Sequence, residues 1–267
     1  MPLQLKSTVA AILIGAPSAL MAMDNPIHLS VINGWQTDEG TVVAGIRLDL
    51  DTGWKTYWRA PGDAGIPPVF DFSESGNLLD FQIEWPTPIV FDQGGMRSIG
   101  YKDAVIFPLV LTPKKAGEGI TLEGVIDLGV CKDVCLPVSL EVDAFLATGT
   151  AKRNPALAAA MATRPFSSSE AGVEKTTCKI TPTDGGMTLT TAITMPPAGS
   201  SEYAVIESND PDHWLAETES HRDGQTLVST SFMASLSGQT LMVNRSDLRI
   251  TVLGSDYAVD IPGCTGS

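Results

Sequence analysis

Apolar and polar residues alternate with a period of two along much of the chain. Ile46, Leu48 and Leu50 are interleaved with Arg47 and Asp49, and Phe81, Ile83 and Trp85 with Gln82 and Glu84. Val138, Leu140, Val142 and Ala144 are interleaved with Ser139, Glu141 and Asp143. This is the pattern of strands with one face buried. Strands are therefore expected over 27–33, 41–50, 54–59, 69–72, 81–85, 104–111 and 120–128, with Pro108 marking an edge or a bulge. Within 54–59 the alternation puts Trp54, Thr56 and Trp58 on one face and Tyr57 on the other. The stretch 60–68, with its prolines and glycines, reads as an ordered loop. Residues 91–101 read as a glycine-containing loop, either a mobile lid or a plain connection.

The pattern breaks between 147 and 171. Asn154 followed by Pro155 is a helix start, the alanine-rich 157–162 continues it, and Pro165 stops it. Strand character resumes at Val173, with segments at 187–193, 204–206, 226–232, 240–243, 248–253 and 257–261 separated by Gly and Asp/Asn turns. The expected fold is all-β: a first sandwich over 23–146, a linker with one short helix over 147–171, and a second, smaller β-sandwich-like domain over 172–267.

Composition narrows the function. The chain has 267 residues, 43% of them hydrophobic, enough for packed cores, and a formal net charge of -14, which argues against a nucleic-acid or anionic-membrane surface. Near the N-terminus, Lys6 precedes the uncharged, mostly apolar stretch 9–22. Residues 1–22 read as an export signal cleaved after Ala22, too short for a membrane span, leaving no stable membrane insertion afterwards. Export places the four cysteines in an oxidising compartment, where they can form two disulfides.

The cysteines carry the candidate chemistry. Cys131 and Cys135 flank Lys132-Asp133-Val134 between two strand segments, so they lie at the mouth of a hairpin rather than on a helix. A ring this small stabilises by roughly 2 kcal/mol and one approaching a hundred residues by about 4.5 kcal/mol. The short pair suits exchange, although a structural clip has the same spacing. The long pair, Cys178 with Cys264, suits a permanent staple. Lys132 favours a thiolate and Asp133 opposes it. His28, His213 and His221 form no metal-binding pattern and read as surface or turn residues, apart from one alternative. In it, His221 completes a copper site with the two close cysteines, as in Sco-type proteins. A further alternative is a non-enzymatic binding or chaperone module with two structural disulfides. Asp63 reads as a turn residue, and Trp54, Trp58 and Trp85 as core aromatics rather than a binding surface. Neither cofactor nor metal is expected.

Four ordered motifs sharpen this reading. They are Gly53-Trp54-Lys55-Thr56-Tyr57-Trp58-Arg59, then 61–68, then Ile99-Gly100-Tyr101-Lys102-Asp103, then Cys131-Lys132-Asp133-Val134-Cys135. Together, over 25–146, the chain resembles the N-terminal periplasmic domain of DsbD and ScsB proteins, and its two-part layout is more similar to ScsB. The resemblance implies an immunoglobulin-like sandwich with a redox-active disulfide, in the periplasm. It implies a protein-disulfide reductase or interchange protein that takes electrons from a membrane-embedded thiol reductase and passes them to periplasmic thioredoxin-fold proteins. Cys135 would form the mixed disulfide and Cys131 would resolve it. It also implies a cap loop at 91–101, with Phe91, Asp92, Met96 and Tyr101 as its candidate residues. Asp92-Gln93-Gly94 stands where DsbD has an acidic pair followed by an aromatic, which leaves Phe91 and Met96 as shielding side chains. With no transmembrane electron-transfer domain following, a separate membrane protein is expected to supply the reductant.

Overall fold

The computed structural model describes residues 25–63, 65–93, 96–149 and 153–266, the side chains of Asp92 and Gln93 excepted. The proposed export signal lies outside the described residues. The fold is nearly all β, in two stacked-sheet units.

The first unit contains β1 (Ile27–Gln36), β2 (Val42–Leu50), β3 (Lys55–Tyr57), β4 (Val69–Asp71), β5 (Leu78–Ile83), β6 (Ile89–Gln93), β7 (Met96–Lys102), β8 (Ala104–Pro113), β9 (Ile120–Cys131) and β10 (Cys135–Leu146). One sheet runs β1-β2-β8-β5; the other runs β10-β9-β3-β7-β6, with β4 also on β9. Their inner faces enclose Ile46, Leu48, Trp58, Phe107, Leu109, Leu122, Ile126 and Val130, the interdigitated core of an immunoglobulin-like sandwich. Trp85 is half-buried against this core and makes edge-on contacts with Phe70 and Phe107.

Two expectations are corrected here. Pro108 lies on neither an edge nor a bulge: β8 has β2 on one side and β5 on the other. The Pro108 carbonyl accepts from Glu84 N–H, just past the end of β5. A residue's N–H and C=O point to the same neighbour in an antiparallel ladder, so the missing donor falls where β5 has already ended. The described residues of 91–101 are not loop but lie in two paired strands, β6 with β7, from Ile89↔Gly100 to Gln93↔Met96.

The connecting helix, α1 (Pro155–Ala162), starts as expected: Asn154 Oδ1 accepts from the N–H groups of Ala156 and Leu157. It is docked rather than free. Leu157 is fully buried against the first sheet, where a Cβ on either Gly34 or Gly45 would lie 2.8 Å from its methyl groups. The two glycines open the seat that the leucine fills.

The second unit contains β11 (Phe166–Ser167), β12 (Lys175–Thr183), β13 (Gly186–Thr194), β14 (Glu202–Ser208), β15 (His213–Leu215), β16 (Glu219–Asp223), β17 (Thr226–Ser235), β18 (Leu248–Gly254), β19 (Ala258–Pro262) and β20 (Thr265–Gly266). Its sheets run β11-β19-β18-β14 and β15-β17-β13-β12-β20, with β16 also on β17. Residues 240–243 form no strand. Leu241 and Val243 still turn toward the second core while Met242 is exposed, so the alternation is real but has no neighbouring strand to pair with. The Cys178–Cys264 disulfide ties β12 to the chain beside β20.

The two units are in contact. Leu253 and Ala258 of the second belong to the first unit's core cluster. Arg59 reaches across to Glu207 through two hydrogen bonds, of 2.9 and 3.0 Å, and to Thr251 Oγ1 at 3.1 Å.

Candidate functional site: the Cys131–Cys135 hairpin

Strands β9 and β10 pair without interruption from Leu146↔Ile120 to Cys135↔Cys131. The two cysteines are thus the last rung of the ladder, and directly opposed residues are close enough for their sulfurs to bond. They form a disulfide across a Cα–Cα distance of 4.2 Å. Lys132 N–H donates to Val134 O and closes the three-residue tip.

The two sulfurs stand in different surroundings. Cys131 is fully buried, at 0% exposure, while Cys135 is exposed. Cys131 is also the Cα partner of Lys55 on β3, at the centre of the sheet. Two residues along β3, Tyr57 faces the same side, and its hydroxyl donates to Cys131 Sγ at 2.7 Å; Cys135 Sγ lies 3.4 Å from the same oxygen. The period-two pattern had set Tyr57 apart from the core-facing Trp58, and this is where that face leads.

Tyr57 is held from above by the 60–68 loop. Gly65 lies so close to the ring that a Cβ there would be 2.8 Å from Tyr57 Cδ1. Pro61 O accepts from Ile99 N–H and anchors the loop to β7. Burial raises the Tyr57 hydroxyl above its ordinary pKa, so it stays a proton donor at neutral pH. Asp63 in the same loop is exposed.

Phe91 reaches this face from the β6–β7 hairpin. Its ring is buried, with Lys55 Nζ 4.9 Å and Lys102 Nζ 4.8 Å from the centroid. Burial, and then the neighbouring Lys102 charge, lower the Lys55 ammonium pKa. Met96 is exposed near the hairpin's end, and the Asp92 side chain lies outside the described residues. Tyr101 is a correction to the cap assignment. It turns inward with Ile99, packs edge-on against Phe107 and donates from its hydroxyl to Pro86 O at 2.8 Å, so it is a core residue and covers no cysteine. The Lys132 ammonium, at the hairpin tip, donates to Thr52 O at 3.2 Å.

The copper alternative does not assemble. His221 lies on β16 of the second unit, opposite Val228, and the two close cysteines are bonded to each other. Among the described residues no group of three or more His, Cys, Asp or Glu is placed to hold a metal. No helix among them is long and apolar enough to cross a membrane.

At the rim of the sandwich, then, a buried sulfur hydrogen-bonded to a tyrosine is joined to an exposed one. Residues 29–147 match the family described as thiol:disulfide interchange protein DsbD, N-terminal, and this part of the chain belongs to that family. The fold matches the crystal structure of the N-terminal periplasmic domain of ScsB from Proteus mirabilis. That match has 20% identity and a TM-score of 0.68, and covers 91% of this chain and 95% of that one, so both units share the fold. The reduced N-terminal domain of Neisseria meningitidis DsbD aligns with 44% of this chain and 93% of its own at 19% identity, but its TM-score of 0.25 establishes no shared fold. No curated protein matches the sequence.

Proposed function

We propose that this chain is a periplasmic thiol–disulfide interchange protein. It accepts electrons from a membrane-embedded thiol reductase and passes them to thioredoxin-fold proteins through Cys131 and Cys135. The observation that carries the reading is the asymmetry of the pair, one sulfur exposed and the other fully buried beside a hydroxyl donor.

The cycle follows from that asymmetry. A thiolate of the reductant attacks Cys135 Sγ, the only one of the two sulfurs at the surface. A bond forms between the reductant's sulfur and Cys135, the Cys131–Cys135 bond breaks, and Cys131 leaves as a thiolate that receives the Tyr57 hydrogen bond. The reductant's second thiolate then attacks its own sulfur in the mixed disulfide and releases Cys135. In the forward half the Cys135 thiolate attacks the acceptor's disulfide, and Cys131 attacks Cys135 Sγ to free the reduced acceptor. Each turn carries two electrons and two protons from donor to acceptor. Phe91 shields the Lys55 side of the buried sulfur, and Cys178–Cys264 stays closed throughout as a structural bond.

Equilibration of the Cys131–Cys135 pair with glutathione tests the proposal. The expected reduction potential lies above about -300 mV, and a value well below that, the range of inert structural bridges, would rule the cycle out. The Tyr57 role has its own test. A hydrogen bond to a charged acceptor is worth about 1.5–3 kcal/mol and a pKa unit about 1.36 kcal/mol, so Tyr57→Phe is expected to raise the Cys131 thiol pKa by roughly one to two units. The ultraviolet thiolate absorbance of the reduced protein reads this directly, and an unchanged titration would remove Tyr57 from the chemistry.

A further inference from the structure

The second unit touches both of the segments that cover the site, and it does so at one place. Arg97, on β7, shares the inward side of that strand with Ile99 and Tyr101. Its guanidinium stacks on the Tyr203 ring at 4.0 Å from the centroid and lies 3.6 Å from Glu217 Oε2, both residues of the second unit. On the other side of the hairpin, Ser98 pairs with Phe91, whose ring lies against Lys55, the Cα partner of Cys131.

Glu217 also bears on the loop over Tyr57. Gly62 of that loop has φ +78, and a Cβ there would meet Arg97 O at 2.7 Å and Glu217 Oε1 at 3.4 Å. Only glycine takes this backbone without strain and leaves room for both neighbours. A cleft of about 680 Å³ adjoins the contact, lined by Ile89 and Val90 of the hairpin and by Glu219, Ser220 and Leu253 of the second unit. Beside this cleft, Arg97 ties the hairpin to the second unit.

We propose that Arg97 is a positioning residue, and that the second unit clamps it between Tyr203 and Glu217 to hold Phe91 against the Cys131 face. The second unit thereby sets how readily the face around the buried Cys131 yields when a thiolate attacks the exposed Cys135. This rests on the exchange role proposed above and gives the second unit a task within it. Neither Tyr203 nor Glu217 touches a sulfur, so the clamp governs the rate of exchange and leaves the equilibrium potential of the bond alone.

The test is the rate at which the oxidised full chain is reduced by dithiothreitol, with the glutathione potential and Tm measured alongside. Tyr203→Leu and Glu217→Gln are each expected to raise the rate about fivefold, from the loss of one partly exposed cation–π or ion-pair contact. Tyr203→Phe keeps the ring face and is expected to stay within about twofold of the parent. Ile193→Val, buried in the second core away from the clamp, is the control for general loosening: it lowers Tm without changing the rate. Parent-like rates in both Tyr203→Leu and Glu217→Gln overturn the proposal, as does equal acceleration by Ile193→Val. A parent protein that dithiothreitol reduces but thioredoxin-fold partners do not would defeat the exchange role and leave the clamp result standing, so the two failures are distinguishable.

Discussion

Cys131→Ala is expected to accumulate covalent complexes with thioredoxin-fold proteins, whereas Cys135→Ser accumulates none. The two variants remove the same disulfide and differ chiefly in which sulfur remains. With Cys131 gone, Cys135 keeps its exposed position at the hairpin mouth and attacks a partner's disulfide, but nothing in the chain can release the product. With Cys135 gone, the remaining thiol is fully buried, under the Tyr57 hydroxyl and behind Lys55. A thiol must be both ionised and reachable to react, and this one is unreachable, so the difference in trapped complex should exceed about tenfold. Both variants lose turnover entirely. Non-reducing electrophoresis after expression in the periplasm, followed by mass spectrometry of the trapped species, makes the measurement and identifies the partners. Equal trapping by the two variants would contradict the assignment of Cys135 as the attacking sulfur. Complete absence of trapped species in both would remove the interchange cycle itself.

The residues that make this asymmetry were legible to different degrees. The alternation after Cys135 identified a strand, and with the strand-like stretch before Cys131 it placed the pair at a hairpin mouth, where the ladder ends at Cys131↔Cys135. The same alternation separated Tyr57 from Trp58, but no local signal said that Tyr57 would meet a sulfur more than seventy positions away. The β6–β7 hairpin was missed although its signal was present. Gly94-Gly95 lies between Ile89-Val90-Phe91 and Ile99-Gly100-Tyr101, and two glycines between apolar runs favour a hairpin connection. Reading the stretch as a loop also misdirected Tyr101, which strand alternation would have placed inward with Ile99. Strand β16, Glu219-Ser220-His221-Arg222-Asp223, carries no apolar residue, because it joins β17 through its backbone and buries little. Propensity misled in the opposite direction at 240–243, where β-forming residues found no strand beside them. The Arg97 contacts join residues far apart in sequence, so only the packed fold reveals them.

The second large effect concerns the other disulfide, and its direction is the reverse. Opening Cys178–Cys264 by the double substitution to serine is expected to destabilise the second unit by about 4–5 kcal/mol while leaving the Cys131–Cys135 potential unchanged. The magnitude follows from ring size: the bridge spans a sequence separation of 86, against 4 for the hairpin pair, and in the chain-entropy model the longer ring removes more freedom from the unfolded chain. Its surroundings add to this, since Cys178 is fully buried in the second core and its carbonyl accepts from Arg245 Nε. Serine at 178 would also leave a hydroxyl in an apolar setting, a further loss. The corresponding double substitution at 131 and 135 is expected to lower stability by only about 2 kcal/mol, yet it removes all exchange. Denaturant unfolding, followed separately by first-unit and second-unit probes, measures both losses. If the hairpin pair proves the more stabilising of the two bridges, ring size is not what separates them. If opening Cys178–Cys264 shifts the potential of Cys131–Cys135, the two bonds are coupled through the interface between the units, and the long bridge is more than a staple.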